Sequence, residues 1–143
     1  MSVSFDGKVA IVTGSGNGLG KSHALALAAR GARVVVNDLG GDRHGIGESS
    51  DAAREVVSTI ETAGGEAIAS GANVADYAEV ESMVNEAIDR WGRVDILINN
   101  AGILRDKSFA KMDLDDFRLV MDVHLMGSVN CSKAVWAIMK DQN

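Results

Sequence analysis

The sequence predicts an α/β fold, a doubly wound parallel sheet of about four strands with helices on both faces. Four short apolar runs alternate with longer segments whose apolar residues recur at helical spacing. The runs also lack strict polar alternation, which is typical of parallel strands covered by helices on both sides. With 143 residues the chain has the size of one domain, so we assign residues 1–143 to a single unit.

The predicted strands are apolar runs bounded by glycine, asparagine or aspartate: residues 9–13, 33–37, 67–71 and 94–99. Helices are predicted over residues 19–30, 50–63, 78–91 and 113–140. Asp76 is expected to cap the third helix, with Glu79 forming a capping box. The last helix has a candidate break near Gly127. Because it carries little polar surface, we expect it to be largely buried or packed on a partner.

Composition excludes several classes of partner. The chain has 14 Lys and Arg against 20 Asp and Glu, a net charge of −6, so we expect no nucleic-acid partner. No apolar run approaches the roughly 18 residues of a membrane span.

The single cysteine, Cys131, cannot form an internal disulfide, which favours a reducing compartment, and we expect a cytoplasmic protein. His23 and His44 are isolated in sequence and indicate no metal site.

A glycine-rich turn follows the first strand directly. Residues 14–20 read Gly-Ser-Gly-Asn-Gly-Leu-Gly and lead into a predicted helix. Backbone N–H groups and the helix dipole at such a turn favour a pyrophosphate, as in Rossmann-type dinucleotide sites. The alternative is a tight strand-to-helix turn without a ligand. The candidate contacts are Gly14, Ser15, Asn17, Gly18, Leu19 and Gly20.

Asp38 follows the second strand, 18 residues after Gly20. A carboxylate at about this spacing accepts hydrogen bonds from the adenosine ribose. It would repel the 2′-phosphate of NADP, and Asn17 and Leu39 stand where a basic residue would hold that phosphate, so the expected cofactor is NAD. Arg43 could still reach the 2′-phosphate, so NADP stays open as the alternative cofactor. Asp38 also suits a simple turn before the next glycines.

The fourth strand ends in Asn99-Asn100-Ala101-Gly102. The small residues would let a flat cofactor lie against the backbone. An ordinary polar turn explains the same residues equally well.

Taken together, Thr13-Gly14-x-x-x-Gly18-x-Gly20 and residues 99–102 resemble the short-chain dehydrogenase/reductase family. Residues 37–42, the loop through Gly47 and residues 101–106 further resemble one branch. It comprises the (3R)-hydroxyacyl-CoA dehydrogenase unit of peroxisomal multifunctional enzymes of type 2 and bacterial relatives. The resemblance implies a dehydrogenase that oxidises a (3R)-3-hydroxyacyl-CoA with NAD.

The resemblance also implies roles for further residues. Asn73 and Val74 would lie beside the adenine, with Asn73 replacing the family's usual aspartate. Asn100, Ala101 and Gly102 would form the floor under the ribose and nicotinamide, and Asn99 would help pin the central strand. His124 takes the position of an asparagine that supports a proton-relay water. Its mostly apolar helical face also suits a core histidine.

The family's catalytic Ser and Tyr-x-x-x-Lys are not in this sequence. The single tyrosine, Tyr77, has Glu81 four residues later. By resemblance the catalytic residues would follow Asn143, so we expect an amino-terminal part of the enzyme that is inactive alone. Asp106 and Lys107 are better explained as a solvated loop.

Three alternatives stay open: a non-catalytic dinucleotide-binding or interaction module, a hydroxysteroid dehydrogenase, or a 3-ketoacyl reductase. Residues 94–99 would form an apolar edge strand that invites pairing. Because related dehydrogenases pair through the apolar helix at residues 125–139, we also expect a homo-oligomer.

Overall fold

The structure is a computed structural model that describes residues 3–41 and 51–142. The predictions for Arg43, His44, Gly47 and a helix start at Ser50 lie outside these residues. The strands are β1 (Val9–Val12), β2 (Arg33–Asn37), β3 (Ala67–Ser70) and β4 (Ile96–Ile98). The helices are α1 (Gly18–Ala28), α2 (Asp51–Thr62), α3 (Tyr77–Trp91), α4 (Leu114–Met121) and α5 (Gly127–Asp141), with a 3₁₀ turn at Phe109–Lys111 and a π-helical turn at Asp122–Met126.

The four strands form one parallel sheet in the order β3-β2-β1-β4. At the centre, Ile11 of β1 lies opposite Val35 of β2 and Leu97 of β4. The predicted doubly wound architecture is therefore confirmed, with β1 in the middle. Because the strands are parallel, all four carboxyl ends meet at one edge of the sheet.

The two faces of the sheet bury different helices. Along β1, Val9 and Ile11 belong to a core shared with α3 and α5, whereas Ala10 and Val12 belong to a core shared with α1 and α2. This follows from the alternation of side chains along a strand. All four of these side chains are fully buried, which explains why the sequence of β1 has no polar alternation.

Strand β4 is shorter than predicted. Val94 does not join the ladder, because its N–H donates to Oε1 of Gln142 at 3.0 Å and its carbonyl accepts from Nε2 of Gln142 at 2.7 Å. Helix α1 ends at Ala28 rather than Arg30, since Arg30 and Gly31 donate to carbonyls three residues back and tighten the final turn.

The predicted N-cap of α3 is confirmed, but the predicted capping box is not formed. The carboxylate of Asp76 accepts the N–H groups of Ala78 at 2.9 Å and Glu79 at 3.2 Å. Glu79 does not complete a capping box, because its carboxylate accepts the N–H of Asn73 at 2.7 Å. The N–H of Asp76 donates to the carbonyl of Asn73 instead. Glu79 therefore fixes the loop that precedes the helix.

The last predicted helix is divided by the π-helical turn immediately before Gly127, so the predicted break is present as a widened turn. Of the two expectations for this helix, burial within the chain or packing on a partner, burial within the chain is not observed. Only Gly127, Cys131 and Val135 of α5 are buried, while Trp136 is 71% exposed.

Within residues 3–41 and 51–142, no helix has the length and apolar character needed to cross a membrane. In the same residues, no three His, Cys, Asp or Glu side chains come together as potential metal ligands.

Candidate functional site

A cavity of about 320 Å³ opens at the carboxyl edge of the sheet. Segments that follow all four strands contribute to its wall, as expected for a doubly wound fold. A larger hollow of about 790 Å³ lies between α1 and α2 at the opposite edge, and none of the predicted site residues lines it. The carboxyl-edge cavity is therefore the candidate site.

Most predicted site residues line this cavity: Gly14, Asn17, Asp38, Asn73, Val74, Asn100, Ala101 and Gly102. The others do not: Ser15, Gly18, Leu19, Gly20 and Asn99. Leu39, which the sequence placed at the 2′-phosphate position, also lines the wall. Sequence reasoning missed a further part of the wall: Asn37, Gly40, Gly41, Ala72, Ala75, Ile103, Leu119 and Val123.

The glycine-rich turn packs closely on the end of β4. A Cβ on Gly14, whose φ is 61°, would lie 2.8 Å from Cα of Ala101. A Cβ on Gly20 would overlap the carbonyl oxygen of Gly14. Ser15 turns inward, and its Oγ donates to the carbonyl of Val12 at 2.7 Å. The spacing of the glycines therefore brings backbone, rather than side chains, to the cavity.

The amino end of α1 is suited to an anion. Asn17 at the N-cap makes no side-chain capping bond, and the first turn holds no acidic residue. The space around the Cα of Gly18 is open, and Leu19 is 74% exposed. The first N–H groups of a helix lack intrahelical acceptors, so this end presents donors and the positive end of the dipole. These features fit a pyrophosphate.

Asp38 is half-buried, and both of its carboxylate oxygens are engaged. Oδ2 accepts the N–H of Gly16 at 2.9 Å, and Oδ1 accepts the N–H of Gly40 at 2.8 Å. The second bond is the local turn that the sequence left open as an alternative. Asp38 also lines the cavity, so the same carboxylate holds the turn and faces the candidate site.

The loop at residues 72–75 is held from two sides. Nδ2 of Asn37 donates to the carbonyl of Ala72 at 2.9 Å, and Nδ2 of Asn130 donates to the carbonyl of Val74 at 2.9 Å. Oδ1 of Asn73 accepts the N–H of Ala75 at 3.0 Å. Asn37 was missed, although an amide at the end of an apolar strand signals a buried polar group that needs partners.

Asn100 ties the end of β4 to β1. Its Nδ2 donates to the carbonyls of Thr13 at 3.0 Å and Gly14 at 2.9 Å. Oγ1 of Thr13 accepts the N–H groups of Asn100 and Ala101, each at 3.0 Å. Asn99 instead donates to Oγ of Ser132 on α5 at 3.2 Å. The strand-pinning role that resemblance gave to Asn99 therefore falls to Asn100.

His124 lies in the π-helical turn and is exposed, so its interpretation as a core histidine is wrong. Its Nε2 lies 2.9 Å from the carbonyl oxygen and 3.0 Å from the nitrogen of Ile103. A Cβ on Gly102 would lie 2.7 Å from Cε1 of His124. The ring therefore packs on the backbone of the cavity wall.

The remaining candidates stand apart from the cavity. Asp106 and Lys107 are exposed, as expected for a solvated loop, and Lys107 pairs with Asp116 at 3.6 Å. His23 is exposed on α1. Desolvation and the negative charge of Glu81 raise the pKa of the Tyr77 phenol. A raised pKa keeps the phenol protonated, which is unfavourable for a group that must accept a proton. Tyr77 also does not line the cavity.

The parallel sheet and the glycine turn at its first crossover define a Rossmann-type domain. Residues 8–143 match the model of a protein family described as short chain dehydrogenase. The chain belongs to this family.

Three similar proteins show how far the likeness extends. Peroxisomal multifunctional enzyme type 2 of Drosophila melanogaster is 55% identical over 139 residues, which cover 97% of this chain and 23% of that enzyme. A short chain dehydrogenase from Mycobacterium avium is 46% identical with a TM-score of 0.85, covering 96% of this chain and 48% of its own. A 7α-hydroxysteroid dehydrogenase complexed with NADH and 7-oxo glycochenodeoxycholic acid is 36% identical with a TM-score of 0.86, covering 97% of this chain and 51% of its own.

Proposed function

We propose that residues 1–143 form the NAD-binding domain of a short-chain dehydrogenase that oxidises a (3R)-3-hydroxyacyl-CoA. The observation that carries the proposal is the cavity at the carboxyl edge of the sheet, where the glycine turn, Asp38 and the end of β4 meet. The chain spans about a quarter of the fruit-fly enzyme and about half of the two solved dehydrogenases. The activity proposed here is therefore that of a longer enzyme.

The residues of the cavity fit a nicotinamide dinucleotide. The uncapped amino end of α1 would hold the diphosphate, Asp38 the adenosine ribose, and Asn73 with Val74 the adenine. Asn100, Ala101 and Gly102 would lie under the other ribose and the nicotinamide. NAD, when bound, accepts the hydride of the substrate. The hydroxysteroid dehydrogenase relative, which is complexed with NADH, supports this class of cofactor.

We favour NAD over NADP because of the charge of Asp38. A 2′-phosphate on the adenosine ribose would face this carboxylate as a like charge. No basic side chain lines the described wall of the cavity to offset the repulsion.

The substrate class rests on the resemblance in residues 37–42 and 101–106 and on the likeness to a peroxisomal multifunctional enzyme. A hydroxysteroid substrate is the second candidate, favoured by the 36% identity to the 7α-hydroxysteroid dehydrogenase.

Replacing Asp38 with Ala tests the cofactor site. Loss of the charge-assisted hydrogen bonds to the ribose should weaken NAD binding by about 10- to 150-fold, measured by calorimetry. Asp106→Ala removes an exposed carboxylate that does not line the cavity and should leave NAD affinity unchanged. Equal affinities for the wild type and Asp38→Ala would exclude the ribose role.

Turnover tests the second part of the proposal. No Tyr-x-x-x-Lys occurs in the sequence, so we expect the purified chain to bind NAD without forming NADH from 3-hydroxyacyl-CoA or hydroxysteroid substrates. A non-catalytic binding module would behave in the same way. Reduction of NAD by this chain would show that other residues supply the proton acceptor.

We also propose that two copies of the chain pair through α5. Leu125 in the π-helical turn and Val129 and Trp136 on α5 are 52%, 48% and 71% exposed, and all three line one surface depression. A second copy could cover the same helix in both chains through a two-fold axis.

We also propose that the protein is located in the cytoplasm. An unpaired, buried Cys131 favours a reducing compartment, in keeping with the predicted cytoplasmic location. The fruit-fly relative is named as a peroxisomal enzyme. A fluorescent fusion of the native gene product would distinguish cytoplasm from peroxisome.

A further inference from the structure

The carboxylate of Asp38 is fixed in orientation before any ligand arrives. Gly16 donates its N–H to Oδ2 at 2.9 Å, and Gly40 donates its N–H to Oδ1 at 2.8 Å. Each carboxylate oxygen has two acceptor positions, so one position on each oxygen remains for the two hydroxyls of a ribose. A carboxylate held in this way loses little further freedom when it binds.

The position of Gly16 leaves no room for a side chain. A Cβ there would lie 2.6 Å from Oδ2 of Asp38 and 2.8 Å from Cβ of Ala52 on α2. Real Cβ atoms do not approach other heavy atoms so closely. Either the carboxylate would turn away or α2 would move.

We infer that Gly16 determines coenzyme preference by holding the Asp38 carboxylate toward the adenosine ribose. The inference rests on the proposed function, since it concerns the same dinucleotide site. It assigns the preference for NAD to two residues, the carboxylate that contacts the ribose and the glycine that positions it.

The two N–H groups that hold Asp38 are what makes this position sensitive. While they bind the carboxylate, a 2′-phosphate meets a fixed negative charge. If the carboxylate turns away, the same N–H groups become donors that suit a phosphate. Displacing Asp38 should therefore weaken NAD binding and relieve the repulsion of NADP together.

The test is Gly16→Ala, with the dissociation constants for NAD and NADP measured by calorimetry. We expect NAD affinity to fall at least about 10-fold while NADP affinity stays equal or rises, so that the NAD-to-NADP preference falls at least about 10-fold. A general loss of structure would weaken both coenzymes alike. An unchanged ratio would overturn the inference.

A second variant separates the two contacts of the added methyl group. Gly16→Ala combined with Ala52→Gly removes the clash with α2 and keeps the clash with Asp38. The lowered preference should persist in this double variant, which also serves if the single variant does not fold. Recovery of the wild-type preference would show that Gly16 acts through helix packing and would overturn the inference.

A double-mutant cycle shows whether Gly16 acts through Asp38. In the Asp38→Ala background, Gly16→Ala should produce no further loss of preference. Additive losses would overturn the inference but leave the proposed function in place, since the wild type still binds NAD. Wild-type protein that binds neither coenzyme would overturn the proposed function, and this inference with it.

Discussion

Thr13 shows how one small side chain fixes two segments of the site. It is almost fully buried, and its hydroxyl accepts the N–H groups of Asn100 and Ala101. These donors come from the loop that forms one wall of the cavity. A buried N–H without an acceptor is costly, so Thr13 keeps this loop in one conformation.

Thr13→Val should lower the free energy of unfolding by about 1–3 kcal/mol, because it leaves two N–H groups without their acceptor. Urea denaturation followed by circular dichroism measures the loss. Thr13→Ser keeps the hydroxyl and should cost clearly less. If the two variants were equally unstable, the methyl group rather than the hydroxyl would be responsible.

Cys131 is a core residue rather than a reactive one. It is buried in the layer between β1, α3 and α5. Burial raises the pKa of its thiol to about 11. At about pH 8 only about one thiol in a thousand would then be ionised, and the thiolate is the reactive form.

Ellman's reagent should therefore modify Cys131 in the native chain at least about 10-fold more slowly than in urea-unfolded chain. The absorbance of the released thiol gives both rates directly, because the sequence holds a single cysteine. Similar rates would mean that the native fold opens readily around α5.

Among the elements, the strands were predictable, and so was a break of the last helix near Gly127, but the π-helical form of that break was not. Apolar runs bounded by turn residues locate each strand within a few residues, since burial on both faces allows little else. The π-helical turn depends on contacts distant in sequence: a Cβ on Gly127 would lie 2.7 Å from Cγ2 of Val74, and Asn130 donates to the carbonyl of Val74. The spacing of apolar residues within the helix does not indicate those long-range contacts.

The candidate site divides in the same way. Asp38 and the glycine turn follow rules of spacing along the chain, so the sequence predicts where they lie. Thr13, Asn37 and Asn130 act on carbonyl or N–H groups 35 to 88 residues away. Their roles become visible only when the fold brings those groups together.

Strands β1 and β4 are joined at their amino ends by Asp95. Its Oδ2 accepts the N–H of Val9 at 2.9 Å, Arg93 binds both carboxylate oxygens, and Nζ of Lys8 lies 3.8 Å away. The hydrogen bond from Arg93 is the largest of the causes that lower the pKa of Asp95. The link between the strands therefore depends on an ionised carboxylate.

Because the pKa of Asp95 is lower in the folded chain than in the unfolded chain, its contribution to stability is present above about pH 4 and is lost as the pH falls through the folded value. Asp95→Asn should cost about 1–2 kcal/mol at neutral pH, and this cost should decrease progressively as the pH falls below about 4. Urea titrations across this range measure the difference. The exposed Asp115 offers a control, since Asp115→Asn should change stability little at either pH. A cost for Asp95→Asn that is independent of pH would contradict this account.

At the scale of the whole molecule, the exposed apolar side of α5 is expected to govern association. Val129→Glu places a charge at the centre of the face formed by Leu125, Val129 and Trp136. It should shift a dimer to monomer in light scattering while leaving NAD affinity within about twofold, because Val129 does not line the cavity. Glu86→Gln on α3 is a control at a different surface. A wild-type monomer at all concentrations would refute pairing through this helix.

The first N–H groups of α1 make the stability of the fold depend on the concentration of the coenzyme. Asn17 makes no side-chain capping bond at this end, and the first N–H groups of a helix have no intrahelical acceptor. A docked diphosphate would therefore supply the acceptors that a capping side chain supplies in other helices. A free coenzyme concentration of about 100 times the dissociation constant adds about 2.7 kcal/mol to the free energy of unfolding. The lifetime of such a protein in a cell would therefore rise and fall with its nucleotide pool, quite apart from any turnover.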